Sequence, residues 1–453
     1  MVWGGGLLVY ILAVANRSSF GVAGLSAAER FGVSATVLSL FVVVQLGVYA
    51  IMQLPAGMAL DRFGPRILLV IGGLMMAVGQ FTMALAPALN WAFVARVLIG
   101  AGDATIFVSA VRLVWDWFPS HRRALLMQLT GVAGNLGQII TAFPFALALE
   151  RAGWTSSFST LAAATATAAL VAAIIVKSAP VVSTESGAVV SRRRRGGSST
   201  DGVSRGTVVS FAPTDGEHQI PAVEEPVFAG VSKPRKAPES SFLAAIRHPA
   251  TWLGFFAHML GGLSSTIFVM MWGVPFMRQG GGYTEDAASL VLLIVVLTVV
   301  LSAPLIGRFT AKNPHLRTAA AFYIGGLVTI GWLIMLLPTA PIPYWLFVFA
   351  VILIAIGGPA SLIGLDLAGS FNHPDRRSTV QGISNMGGFV AAIAVMLGVG
   401  AILDNRTAGN TPVLADYRAA LSIVFIPIIL SALGILHFRN KTKQTLKTYS
   451  PNF

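Results

Sequence analysis

Apolar residues in this chain gather into long uninterrupted runs, with the polar residues confined to the gaps. Runs of roughly 20 residues, the length an α-helix needs to cross a bilayer core, recur twelve times. They lie near 3–25, 36–60, 67–86, 91–117, 124–149, 155–177, 251–277, 286–308, 316–337, 344–370, 378–403 and 417–438. Segments apolar on every face suit lipid as their solvent, and predict an all-α integral membrane protein. The gaps are short except one, Ser178 to about Pro249, whose Ser, Gly, Pro and charge read as a disordered linker. The predicted organisation is therefore a six-helix bundle over 1–177, a cytoplasmic linker over 178–249, a second six-helix bundle over 250–438, and a basic tail over 439–453. A short amphipathic helix along the membrane is expected from Glu239 to Trp252.

Composition narrows the picture. Hydrophobic residues make up 55% of the chain and charged ones 11%, which excludes a soluble globular class. The net charge of +13 raises nucleic acid as a partner, but its distribution points to a bilayer. Of 31 Lys and Arg, five fall in one set of gaps (Arg30, Arg151, Arg278, Arg406, Arg418) and three inside runs (Arg17, Arg96, Arg112). The other 23 lie in the opposite gaps, the linker and the tail. By the positive-inside rule both termini are cytoplasmic, with the plasma membrane as the expected location. The Arg192–Arg195 run reads as a solvated, lipid-attracted patch. Met1-Val-Trp3 enters apolar sequence with no positive leader, so the first run reads as an uncleaved spanning helix. Cysteine is absent, and no nucleotide loop, metal-ligand cluster or nucleophile arrangement stands out. No cofactor, metal or catalytic residue is expected, and the chain does not read as an enzyme.

Between the second and third runs stands Gly57-Met-Ala-Leu-Asp61-Arg62-Phe-Gly64-Pro-Arg66. It reads as a short polar turn, with Gly57 permitting close helix approach and Gly64 supplying positive φ. The pattern resembles the loop signature of the major facilitator superfamily, which implies two pseudo-symmetric six-helix bundles. An internal repeat agrees: a shift of 255 residues places Ala101-Gly102 on Ile356-Gly357, Pro119 on Pro374 and Arg122 on Arg377. The second copy of the turn, Gly307-Arg308 through Lys312 to Arg317, lacks an acid at the place of Asp61.

Charges inside the runs carry the candidate chemistry. Arg17 lies ~20 Å into the first helix at 1.5 Å per residue, too deep to reach the interface comfortably, so an acid, water or an anionic ligand must satisfy it. Asp103, counted from the other end of the fourth helix, falls ~18 Å down, at a similar depth. Arg96 precedes it by seven residues, near the same face. A carboxylate there feels burial and a cation pulling its proton affinity in opposite directions, so it could exchange a proton as an anion competes for Arg17. A permanent Arg17–Asp103 or Arg96–Asp103 salt bridge is the other reading.

Ala15-Asn-Arg17-Ser-Ser-Phe-Gly-Val-Ala23, Arg96 to Ala104, Ala110-Val-Arg112-Leu with Trp117-Phe-Pro119, and Gly131-Val-Ala-Gly134-Asn135-Leu-Gly137 resemble helices 1, 4 and 5 of the anion:cation symporter family. The resemblance implies substrate binding at Arg17 and proton coupling at Asp103, which stands where that family usually has Glu. Asn16 stands where it usually has Asp. Candidate substrate contacts are Arg17, Gln45, Arg96, Asn135, Gln138 and Trp272. Interhelical hydrogen bonding remains open for Asn135 and Gln138, and an interfacial anchor for Trp272. His258 is a second candidate proton carrier or an ordinary packed histidine. Gly57, Asp61, Arg62, Gly64, Arg66, Arg112, Asp116, Asp366, Arg376 and Arg377 are candidate gate residues. The function expected is proton-coupled symport of a small organic anion by a monomer. Proton-driven export of drugs or metabolites is the alternative, disfavoured by the missing Gly-Pro pair in the fifth run. A receptor or sensor is the non-transport reading.

Overall fold

The computed structural model describes residues 1–32, 35–177, 242–407 and 410–449. Nine stretches of these residues are long and apolar enough to cross a membrane. Two of them are divided by a glycine at φ 77°, Gly64 and Gly153, and Val2–Val22 adds a further apolar helix, so the helices match the twelve runs. We number them α1 (Val2–Val22), α2 (35–63), α3 (65–85), α4 (Leu89–Trp117), α5 (Ser120–Ile140), α6 (154–175), α7 (Pro249–Ile267), α8 (Glu285–Lys312), α9 (Arg317–Leu336), α10 (Tyr344–Ser370), α11 (Arg377–Thr407) and α12 (Leu414–Thr445). Among the described residues no strand occurs.

The helices form two groups. One apolar core joins α7 to α12 through residues such as Leu260, Trp332, Phe347 and Val399. Two further clusters, around Val9, Leu69 and Val111 and around Phe41, Met83 and Phe158, join α1 to α6, and the first of them also takes in Leu362 and Leu365 of α10. Ile51, Ile71, Val78, Leu301, Leu305, Ile426 and Leu430 are exposed on the outside, the surface lipid would cover. Trp3 packs edge-on against Phe118 at 6.0 Å, and Asp61 meets Arg112 and Ser378. The start of α1, the ends of α2 and α4 and the start of α11 therefore share one end of the bundle, the terminal end.

Three boundaries differ from the sequence reading. The Gly57–Arg66 stretch is helical up to Phe63 and again from Pro65, so the turn shrinks to Gly64 alone. Its positive φ reverses the chain in one residue, and Pro65 begins the next helix where a missing N–H costs nothing. The tail expected from 439 onward is helical as far as Tyr449. Of the expected amphipathic helix, the described residues form Phe242–Arg247, and α7 begins at Pro249. Residues 178–241, the bulk of the expected linker, lie outside the described residues.

Three prolines coincide with irregular helix geometry, since each removes a backbone donor. Pro144 falls in a π-helical turn at Thr141–Phe145. Beyond Ile267, α7 continues through π turns on either side of Pro275. The helix α10 is interrupted at Ile356 and at Ser361, on either side of the short helical segment Gly357–Ala360 that carries Pro359.

Candidate functional site

A cavity of ≈ 170 Å³ lies between the two groups of helices. Tyr10 and Arg17 of α1, Tyr49 of α2, Phe107 of α4 and Gln128 and Asn135 of α5 line one side. His258 of α7, Pro359 and Ser361 of α10 and Asn385 and Phe389 of α11 line the other. Gln128 and Asn135 stand ~12 and ~22 Å along α5 from the terminal end at 1.5 Å per residue, which centres the cavity near mid-bilayer. Two hydrogen bonds cross it: Gln128 Nε2 donates to Pro359 O at 2.8 Å, a carbonyl in the interrupted part of α10, and Asn385 Nδ2 donates to Tyr49 Oη at 3.1 Å. Gln128 Oε1 and Asn135 Nδ2 are buried without a partner.

Arg17 and Asp103 meet at this cavity. Arg17 Nη2 donates to Asp103 Oδ1 at 3.4 Å. Nε stands 3.0 Å from Oδ2 but does not aim its hydrogen at it, so Oδ2 is left without a hydrogen bond. The Asp103 side chain is 1% exposed and that of Arg17 21%. The guanidinium lies 5.4 Å from the Tyr49 ring centroid. The pair thus joins a carboxylate with one unsatisfied oxygen to a cation reachable from the cavity. Such a pair holds by charge, with little directional bonding to fix it.

The other candidate contacts are placed differently. Arg96 does not pair with Asp103: its Nη1 donates to Gln45 Oε1 at 2.9 Å, and its guanidinium lies 4.3 Å from the Phe20 centroid. Arg96 is fully buried and does not line the cavity, nor does Gln45. Gln138, one turn beyond Asn135, is likewise absent from the lining, and Trp272 donates to Met396 O at 3.1 Å inside the second group. His258 lines the cavity, and its Nδ1 accepts the Gly388 N–H at 3.1 Å, which leaves that nitrogen without a proton.

At the terminal end the charges form a bridge between the groups. Asp61 Oδ1 accepts the Ser378 N–H at 2.9 Å, while Oδ2 accepts the Thr379 N–H at 2.8 Å and its Oγ1 at 2.6 Å. These are unpaired donors of the first turn of α11, so an acid of one half caps a helix of the other. Arg112 joins the cluster through Asp61 Oδ1 at 2.9 Å, Asp116 Oδ1 at 2.8 Å and Ser378 Oγ at 2.8 Å. Gly57 makes the approach possible, because a Cβ there would stand 2.7 Å from Ser378 O. The Arg377 guanidinium lies 4.3 Å from the Trp115 centroid, a second cross-half contact.

Among the remaining gate candidates, Asp366 meets the charge of Arg123 from the first half as well as that of Arg317 in its own. Arg317 Nε pairs with Asp366 Oδ2 at 3.0 Å. Arg66 Nε donates to Ala173 O at 2.9 Å, and Arg62 lies over Phe63 at 5.3 Å. Arg376 is half-buried beside His248, whose Nδ1 accepts the Ala250 N–H at 3.3 Å and caps α7. Burial, and then the Arg376 charge, push the His248 imidazole down to about 4. Sequence reasoning missed Tyr10, Tyr49, Gln128 and Asn385. For Asn385 a signal existed, since Ser384-Asn385-Met-Gly387 echoes Gly134-Asn135-Leu-Gly137.

Known proteins agree with this architecture. A sequence profile described as Major Facilitator Superfamily matches residues 6–396. The chain belongs to that superfamily and is a multi-pass membrane protein. A protein named as a probable L-galactonate transporter of Escherichia coli K12 is 31% identical over 158 residues, 34% of this chain and 35% of that one. A probable sulfoacetate transporter of Cupriavidus necator is 28% identical over 163 residues, 36% of this chain and 38% of its own. The hexuronate transporter of Escherichia coli K12 is 24% identical over 148 residues, 33% and 34% of the two chains. The matched region thus spans about a third of each relative's length. In fold, the chain is similar to a bacterial homologue of the human lysosomal transporter Spinster, solved inward-facing and unoccupied. Their TM-score is 0.55 at 14% identity, over 98% of this chain and 97% of that one.

Proposed function

We propose that this transporter carries a small organic anion together with protons, by alternating access around the central cavity. The observation that carries the reading is the Arg17–Asp103 pair, a cavity-facing guanidinium held loosely by a buried carboxylate. An incoming carboxylate offers Arg17 a planar, bidentate partner better aligned than Asp103. Released from Arg17, Asp103 is a charge buried in protein, and a proton neutralises it. Arg17 is therefore the anion contact and Asp103 the coupling acid. Asn135 and Gln128 offer unpaired amide atoms to the rest of the substrate. The relatives named for galactonate and hexuronate support an organic acid as cargo. A cavity of ≈ 170 Å³ also falls below the ~300–1,000 Å³ usual for drug-sized ligands, which favours a small acid over a drug.

His258 serves packing in this reading, and Arg96 with Gln45 braces the first half. The Asp61–Arg112–Ser378 bridge closes the terminal end and breaks when the carrier opens there. The Lys and Arg distribution supports cytoplasmic termini and a cytoplasmic 178–249 linker, and we take the protein to be a plasma-membrane monomer. The test is uptake of a panel of labelled acids (L-galactonate, D-glucuronate, glycolate, D-glucarate) by proteoliposomes under an imposed proton gradient. Accumulation of at least one acid, abolished when a protonophore collapses the gradient, is the expected result. Failure to accumulate any of them refutes the reading.

A further inference from the structure

The charges around Arg17 bear on how many protons accompany each anion, if Arg17 and Asp103 have the roles proposed above. Arg17 is the sole Lys, Arg, Asp or Glu among the described residues lining the cavity. The one histidine there, His258, accepts at Nδ1 and so carries no second proton in this state. Groups of the neighbouring helices that face Asp103 are Arg17 and Tyr10 from α1 and Tyr49 from α2. Arg96, on the helix of Asp103 itself, is turned to Gln45. Beside Arg17, Asn16 is fully buried, and its amide donates to Thr165 Oγ1 and Leu12 O, each at 2.7 Å. That position holds a neutral group which cannot titrate. Of the other described acids, Asp61, Asp116 and Asp366 pair with Arg112 and Arg317, Glu285, Asp286, Asp404 and Asp416 stand in the first or last turns of their helices, and Glu150 lies one turn before the break at Gly153. At mid-depth one acid, Asp103, remains to take a proton.

We infer that this transporter moves one proton with one singly charged anion, and no net charge in either direction. In the empty carrier Arg17⁺ and Asp103⁻ sum to zero. A monoanion on Arg17 leaves Asp103 without its counter-charge, so the site would carry one negative charge in a medium that screens it poorly. One proton on Asp103 Oδ2, the oxygen without a hydrogen bond, restores zero. Loaded and empty carriers then cross with equal charge. A dianion bound the same way leaves one negative charge uncompensated, which selects against doubly charged acids.

The experiment is steady-state accumulation by wild-type proteoliposomes, with pH gradient and membrane potential (potassium and valinomycin) imposed independently. The probe is whichever monocarboxylate of the panel is taken up fastest. Accumulation should approach tenfold per pH unit, the ratio one proton allows, and stay the same at 0 and 100 mV of either sign. D-glucarate, the dianion sharing the six-carbon skeleton of D-glucuronate, should be carried at least about tenfold more slowly. A change of about 50-fold per 100 mV, the effect of one net charge, overturns the inference, as does accumulation near a hundredfold per pH unit. Either result leaves Arg17 and Asp103 in their proposed roles. Absence of uptake of every acid strikes at the function itself.

Discussion

Asp61 and Thr379 stand on opposite halves of the molecule and are bonded to each other at the terminal end. One carboxylate oxygen takes both the backbone N–H and the hydroxyl of Thr379, at 2.8 and 2.6 Å. The other takes Ser378 N–H and the Arg112 guanidinium. Asp61→Asn keeps the shape but turns a donor toward donors and removes the ion pair. A loss of ~1–3 kcal/mol from the closed state is expected. Because the chain has no cysteine, a single Cys in place of Ala303, a cavity-lining residue, reports opening cleanly. Its alkylation from the terminal side should rise severalfold with Asp61→Asn, turnover should fall, and equilibrium substrate affinity should change little. Unchanged labelling, or lost affinity with normal turnover, contradicts the assignment.

Gly57→Ala tests the same seal by volume alone. The new Cβ would stand 2.7 Å from Ser378 O and 2.8 Å from the Thr379 Cα, both backbone atoms that yield only if α2 and α11 part. Overpacking of this kind costs ~1–3 kcal/mol. The same cysteine should again label faster from the terminal side. Wild-type labelling and transport in Gly57→Ala would mean the helices separate there at no cost.

His248 predicts a pH effect on stability. It is held at about 4 in the folded protein, against about 6.5 for an unperturbed imidazole, so the folded protein resists a proton that the unfolded chain accepts. The contribution is fully present above about pH 6.5 and is lost as pH falls toward about 4. His248→Asn retains a cap for α7 without titrating. In detergent, the wild-type melting temperature should drop across that window more steeply than the variant's. Parallel curves contradict the account.

What the sequence disclosed follows from the physics of the bilayer. Arg17 and Asp103 stood out because a charge deep in an apolar run has few explanations, and helix rise alone placed them at matching depth. The glycine of the α2–α3 turn was legible for the same local reason, its conformational freedom. Partners set by packing were not legible. Nothing in the order of residues tells that Arg96 turns to Gln45 and Phe20 while Asp103 turns to α1. The cap that Asp61 places on α11 joins positions 317 residues apart. Tyr49, Gln128 and Asn385 are neutral, and neutral polar residues occur on every face of a spanning helix. Only the crossing of two halves singles them out. The end of α2 was placed early because Asp61 and Arg62 looked like loop, whereas a helix carries such charges one turn beyond the apolar core.

Replacement of Arg17 separates anion recognition from simple charge. Arg17→Lys keeps the positive charge and loses the planar fork. Binding of the transported acid should weaken by at least about tenfold, with Asp103 still paired and the protein still folded. Wild-type affinity in Arg17→Lys would return the pair to a purely structural role.

The most direct test of anion–proton coupling uses Asp103→Asn in one batch of vesicles, assayed two ways. Under a pH gradient, net accumulation of the transported acid should vanish, because the group that takes the proton is gone. In counterflow, with the same acid on both sides and no gradient, exchange should persist, because Arg17 still holds the anion. Accumulation against a gradient by Asp103→Asn would contradict the account outright.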